Sequence, residues 1–245
     1  MIIGTELTKE IFSFHLVNLS LMKVPLFWLW SARQNKIAGL NHSESFLTMK
    51  LGVPIASPPR YNIKTVAFFA WWQEAHYLDE FLEHPSQRLF DGGWHVRLKL
   101  YRRWGEIAEL RNAVVDPNIA VRDKPIVAVT LARLNILQTP RFIKWGMPVE
   151  SQVRDHKGQS LALAAFRPFN TFSTLSIWNN ESAMTNMVYG KNKLDDGESH
   201  QLSMQEMIRK NFHHEFTTMR FAPFAEAGEW DGKSDLFAAH NKSLS

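Results

Sequence analysis

Ten histidines and no cysteine set the chemistry open to this chain of 245 residues. Without cysteine there can be no disulfide, iron–sulfur cluster, thiolate zinc site, thiolate nucleophile or cysteine-ligated haem. If the chain holds a haem, His is then the expected iron ligand, ahead of Tyr and Met. His213 and His214 are adjacent, so a helix would turn them about 100° apart and a strand would send them to opposite faces. One metal cannot take both from one regular element. No HExxH spacing occurs, which argues against a zinc hydrolase, and GxSxG, GxGxxG and Walker A patterns are also missing. His15 sits in an apolar run and reads as a core histidine with a backbone partner. His42 could cap a helix or look into a pocket of the N-terminal half. His76 stands beside Tyr77, and His84 precedes Pro85 in a turn. His200 follows a polar stretch, Lys191 to Ser199, and opens a helical stretch from Gln201 to Asn211. Glu215 and Arg220 read either as an ion pair on the last strand or as a guanidinium free to clasp a carboxylate.

The elements that must position these groups occur twice. Phe12 to Trp30 lies over Val127 to Trp145 at a shift of 115 positions without a gap, pairing Leu16, Leu19, Pro25, Phe27 and Trp30 with Leu131, Leu134, Pro140, Phe142 and Trp145. Further on, Thr65 to His76 lies over Phe172 to Ala183, pairing Trp71 with Trp178 and Glu74 with Glu181. A repeat of this length is a small domain rather than a solenoid unit. Strands are expected at Phe12–Leu19, Phe46–Leu51, Thr65–Trp72 and Ile107–Val114, and helices at Leu26–Ala38, from Glu74 to about Leu82, and at Trp94–Trp104. The second half repeats the plan, with strands at Ile126–Leu134, Leu161–Phe166, Thr171–Trp178 and Phe216–Phe221. Its helices are Pro140–Asp155, Glu181–Tyr189 and Met204–Asn211. The βαββαβ order predicts an α+β protein of two tandem ferredoxin-like halves that close an α/β barrel. The N-terminal half spans 1–115, the linker Asp116 to Lys124, the C-terminal half 125–224 and a tail 225–245. Function should lie between the halves or in whichever has left the common plan.

Composition narrows the partners. The formal net charge is +4, and the basic residues are dispersed apart from Arg97, Lys99, Arg102 and Arg103, read as a solvated helix face. No nucleic-acid motif accompanies them, so no nucleic-acid partner is expected. The 17 Phe and 9 Trp suit cores and pockets for flat apolar ligands. No apolar run reaches the roughly 20 residues of a membrane helix, and no signal-peptide order opens the chain. A cytoplasmic protein is expected, with peripheral contact at a membrane surface left open.

Ser176-Ile177-Trp178, then Met184, Tyr189, His200 and finally FHHEFTTMRF form an ordered set. The order resembles the C-terminal half of the spheroidene monooxygenase-like proteins. Their pattern is a strand ending Ser-x-Trp, a helix with Met and an aromatic, a His, then Trp-aromatic-x-Glu-x-x-x-x-Arg-Phe. Trp178, Met184, His200, Glu215, Arg220 and Phe221 match, whereas Phe212 stands where the family has Trp. Gly228, Trp230 and Gly232 resemble the family's Gly-x-Trp-x-Gly ending. Gly39-Leu40 and Lys50-Leu51-Gly52 resemble its N-terminal half. The chain departs at Phe212 and at Lys191–Ser199, both beside the proposed site, so substrate identity is where the departure would show.

The resemblance implies a haem-containing, oxygen-using monooxygenase acting on an apolar substrate such as a carotenoid, with a ferredoxin or similar electron donor. It implies haem b with His200 as the iron ligand. Trp178, Met184, Tyr189 and Phe212 would line the cofactor, and Arg220 would support a propionate. No catalytic side chain is assigned by it. A homo-oligomer stays open. So do two other readings: a cofactor-free α/β-barrel oxygenase or isomerase, and a non-catalytic haem- or polyene-binding protein.

Overall fold

The computed structural model describes residues 9–168, 170–189 and 213–237. In chain order it contains β1 (Ile11–Asn18), α1 (Lys23–Ser31), β2 (Leu40–Met49), β3 (Tyr61–Trp72), α2 (Ala75–Glu83) and β4 (Trp94–Glu106). The plan then repeats as β5 (Ile126–Leu134), α3 (Thr139–Asp155), β6 (Gln159–Arg167), β7 (Thr171–Trp178), α4 (Glu181–Tyr189) and β8 (His213–Ala227). The strands form one closed antiparallel barrel in the order β1-β3-β2-β6-β7-β5-β8-β4. Each half keeps the ferredoxin-like order, and β2·β6 and β4·β8 are the seams between halves. Closure leaves no free sheet edge.

Period-two alternation divides each strand between barrel interior and helix side. Phe12, Phe14, Leu16, Phe69, Val127, Val129, Leu131, Leu175, Ile177, Met219 and Phe221 fill the interior. Trp94, Val96, Leu98 and Leu100 do the same from β4, while His95, Arg97 and Lys99 point the other way. That alternation corrects the expected helix at Trp94–Trp104. The charged residues there suggested a solvated helix face, but the apolar residues recur every second position, which only a strand can bury. Arg97 meets Asp79 at 2.5 Å, and Arg103 donates to the Leu110 carbonyl oxygen at 2.5 Å.

Ile107–Val114 is not the closing strand. It holds a 3-10 turn, Ala108–Leu110, and sends Ile107, Leu110 and Ala113 into the end of the barrel as a plug. The first helix stops at Ser31, well short of Gly39, and β2 starts at Leu40 rather than Phe46. Gly39 has φ +65°, and a Cβ there would fall 2.0 Å from the Tyr77 ring, so both backbone sign and space demand glycine. The expected helix at Met204–Asn211 lies outside the described residues.

At the plugged end, charge crosses from one half to the other. Glu44 of β2 is fully buried and ion-paired with Arg133 of β5 and, at 2.8 Å, with Arg167 of β6. Arg133 also donates to Thr171 Oγ1 at 3.0 Å and to Glu109 Oε1 of the plug at 3.2 Å. His42 completes the group, its Nε2 3.0 Å from Glu44 Oε1, so it caps no helix and belongs to the barrel mouth. Burial by itself would raise the Glu44 carboxyl. The His42 hydrogen bond and the Arg133 and Arg167 charges override it and bring it down to about 2. A second link joins Arg60 to Glu150 of α3 through both carboxylate oxygens, at 2.9 and 2.7 Å.

Candidate functional site

The two halves share one frame, so their helix-side sheet faces can be compared position by position. Ile11 of β1 pairs with Trp72, and Ile126 of β5 pairs with Trp178. Trp178 is therefore the counterpart of Trp72, not of Trp71 as the sequence shift suggested. Trp71 points into the barrel interior, whereas Trp72 and Trp178 both lie under helices. A slip of one residue in a strand exchanges its faces. The same correction makes Asn180, not Glu181, the partner of Glu74. Glu74 stands at the N-cap of α2, and Asn180 Oδ1 accepts the Ala183 N–H at the start of α4 at 2.8 Å.

In the first half the layer between sheet and helices is filled with rings. Phe27 and Trp30 of α1, Phe68 and Trp72 of β3, Phe81 of α2 and Phe90 pack with centroids 5.0–6.4 Å apart. One row crosses the sheet there: Phe68 on β3, His15 on β1 and His95 on β4. His15 stacks on His95 at 5.2 Å and meets the Phe68 ring at a tilt at 5.5 Å. It is a core histidine as expected, but its partner is the Ser13 hydroxyl at 2.8 Å rather than backbone. Burial first, then the His95 and Arg97 charges, hold its pKa well below the usual range, so it stays neutral.

In the second half the same row is Thr174 on β7, Thr130 on β5 and Thr218 on β8. Three rings are replaced by three threonines. Toward Trp178 their neighbours on this face are small, Ala128, Ala162 and Ser176, whereas the next row on the other side carries Phe166, Phe172 and Phe216 beside Ala132. The Thr130 and Thr218 hydroxyls lie 3.2 Å apart. Along this row the helix side of the sheet carries less side-chain volume in the second half than in the first, on the kind of face where ligands can bind.

Larger side chains stand around this floor. Trp178 and Met184 are buried with Tyr101 and Ile126. Trp178 donates to Ser176 Oγ at 2.8 Å. His156, just after α3, sets its ring edge-on to Trp178 at 5.3 Å. Its Nδ1 accepts the Gly158 N–H at 2.9 Å, so a neutral ring carries its proton on Nε2. That nitrogen is then a donor, not a metal ligand. The Tyr101 hydroxyl is buried and has no hydrogen-bond partner among the described residues. Burial, then Glu181, push it up to about 12 against the opposing charges of Arg220 and Arg102 and the Arg220 guanidinium beside it, so it remains a protonated donor at neutral pH.

Arg220 occupies the helix side of β8. Its Nη1 bonds Glu181 Oε1 at 2.5 Å and its guanidinium lies 4.5 Å over the Trp104 ring. Its Nε is buried without a partner among the described residues. Glu215 is five positions away and faces the other side of the strand, where it accepts the Ala108 N–H at 3.2 Å, so the two form no pair. Arg97 holds Asp79 in the first half as Arg220 holds Glu181 in the second, which makes part of this grip a feature of the scaffold.

The structure thus brings Trp178, Met184 and Arg220 to one side of the threonine floor. Tyr189 ends α4 on the same side of the barrel. His200 and Phe212 lie outside the described residues. His213 is half-buried and stacks on Phe216 at 4.5 Å, while His214 is exposed. Among the described residues no group of three or more His, Cys, Asp or Glu could hold a metal ion, and no helix is long and apolar enough to cross a membrane. The sequence reading missed Tyr101, His156 and all three threonines. A strand-corrected overlay of the halves would have exposed the threonines as the positions where rings were lost.

No protein-family model matches the chain, and no curated protein matches it. Solved structures do. An aldoxime dehydratase crystallised with butyraldoxime matches over 93% of this chain and 85% of its own, with TM-score 0.58 and 7% identity. A second aldoxime dehydratase matches over 93% and 86%, with TM-score 0.49 and 7% identity. An uncharacterised ferredoxin-fold protein of Listeria monocytogenes, related to antibiotic biosynthesis monooxygenases, matches over 86% and 95%, with TM-score 0.27 and 11% identity. At such identity the likeness is one of fold.

Proposed function

We propose that the protein is a haem-dependent monooxygenase that inserts oxygen into an apolar, carotenoid-like substrate, with haem b in the C-terminal half. The observation that supports it is the replacement of the Phe68–His15–His95 row by Thr174–Thr130–Thr218 on an otherwise repeated sheet. The residues fit a porphyrin. The small side chains of the threonine row suit a flat ring, Trp178 and Met184 give an apolar wall, and the Tyr101 hydroxyl and the Arg220 Nε, the latter without a partner among the described residues, are donors for carboxylate edges.

His200 would supply the imidazole that holds the iron, and Tyr189 and Phe212 would flank the cofactor. When bound, haem supplies reductive activation of O₂, with electrons from a ferredoxin or similar donor. The chain supplies the rest. The apolar wall keeps water out and holds the substrate carbon in place. Tyr101 donates its proton in a hydrogen bond and is too weak an acid to lose it near neutrality. Arg220, already charge-paired with Glu181 through Nη1, offers its Nε to a ligand.

Haem titration tests the reading. The wild-type protein should develop a Soret band, and His200→Ala should weaken or shift it. A folded, colourless protein that refuses haem would favour the cofactor-free reading. A haem complex that consumes no oxygen with reductant and polyene present would favour a binding protein.

A further inference from the structure

Helix α1 departs from the usual surface helix. It packs inward through Phe27, its one fully buried residue, yet its outer positions are apolar too. Met22 is 86% exposed, Leu26 54% and Leu29 60%, a stripe at helical spacing. Leu21 and Ile63 extend the patch, and the Leu19 N–H to Lys64 carbonyl bond of 2.7 Å fixes the β3 end beside it. Trp28 is half-buried at the same helix.

The scaffold does not require this. Under the shift of 115 positions the sequence answers Leu26 with Arg141 and Leu29 with Lys144. The repeat thus carries charge at two of the three stripe positions, while Met22 is answered by Leu137, itself 87% exposed.

The charge carried by the helix, its flanking turns and the adjoining β3 end has one sign. Lys23, Arg33, Lys36 and Lys64 are all exposed around the stripe. Between Glu10 and Glu44 the sequence holds no acidic residue. A second copy docked through a two-fold axis would bring these cations together with no acid in the segment to neutralise them. An anionic bilayer meets both features at once: headgroups take the lysines and arginine, and acyl chains take Met22, Leu26 and Leu29. Trp28 has the amphipathic ring that settles at such boundaries.

We propose that α1, with the Leu21 turn and the Ile63–Lys64 strand end, docks the protein on an anionic lipid surface. This holds whether or not the protein carries haem. The docked face belongs to the half without the threonine floor, so it anchors the molecule rather than forming the pocket.

The test is co-sedimentation of the full chain with vesicles of phosphatidylcholine containing about 30% phosphatidylglycerol. Wild-type protein should bind these at low salt, and pure phosphatidylcholine at least about tenfold more weakly. Met22→Glu with Leu26→Glu should weaken binding about tenfold or more. Lys23→Glu with Lys36→Glu should do the same and flatten the salt dependence. All four side chains are exposed, so unfolding curves should not move, which separates lost docking from lost folding. Absence of vesicle binding at low salt would overturn the proposal, as would binding indifferent to both variants. A wild-type dimer that Met22→Glu with Leu26→Glu converts to monomer would also overturn it, assigning the face to a second copy.

Discussion

Arg133→Met lowers stability by about 3–5 kcal/mol, because it strands the buried Glu44 carboxylate with one guanidinium partner fewer. The loss should appear as a shifted urea midpoint with an unchanged slope. Converting both residues, Glu44→Leu with Arg133→Met, should recover much of it, since an apolar pair needs no compensation. The sign with pH follows from Glu44. Its carboxyl is about 2 folded against 4.5 as the ordinary value, which corresponds to roughly 3 kcal/mol. That contribution is fully present above the unfolded pKa and is lost as pH falls from about 4.5 through about 2. Glu44→Gln should therefore flatten the acid limb of the stability curve. An acid limb equally steep in Glu44→Gln would show that other carboxylates govern it.

Thr174→Phe is expected to abolish haem binding while leaving the fold intact. The substitution writes the first half's Phe68 into the matching place of the second. If the threonine row faces ligand space, a ring there occupies it and titration with haem should show at least about a tenfold loss of affinity, worth about 1.4 kcal/mol. Stability should hold or rise, because ring volume fills space rather than displacing neighbours. A destabilisation of about 1–3 kcal/mol, the usual cost of overpacking, would instead mean that this layer is already full. Trp178→Phe makes a useful contrast: it removes the indole donor to Ser176 without adding volume.

Much of the architecture was legible in the residues. The repeat pointed to two βαββαβ units and a barrel, and the ladders show that barrel. Two of the errors concern which face a strand residue takes. Charged residues at Arg97, Lys99, Arg102 and Arg103 hid the alternation of β4, because this strand at a barrel seam keeps one face polar and is buried on the other. The pairing of Trp71 with Trp178 matched letters across a strand whose register moves by one, and a one-residue slip reverses the face. Neither the Glu44–Arg133–Arg167 cluster nor Tyr101 carried a local signal. Each is made of residues far apart in the chain, and only barrel closure sets them within bonding distance.

The chain by itself determined the doubled plan, the absence of thiol chemistry and the apolar character of α1, since these depend on composition and local period alone. The tertiary structure decided which face each strand residue takes, and with it where the two halves differ. Side-chain direction depends on ladder register, and register is settled by neighbours distant in sequence. Only when the ladders are aligned does one half show rings where the other shows threonines.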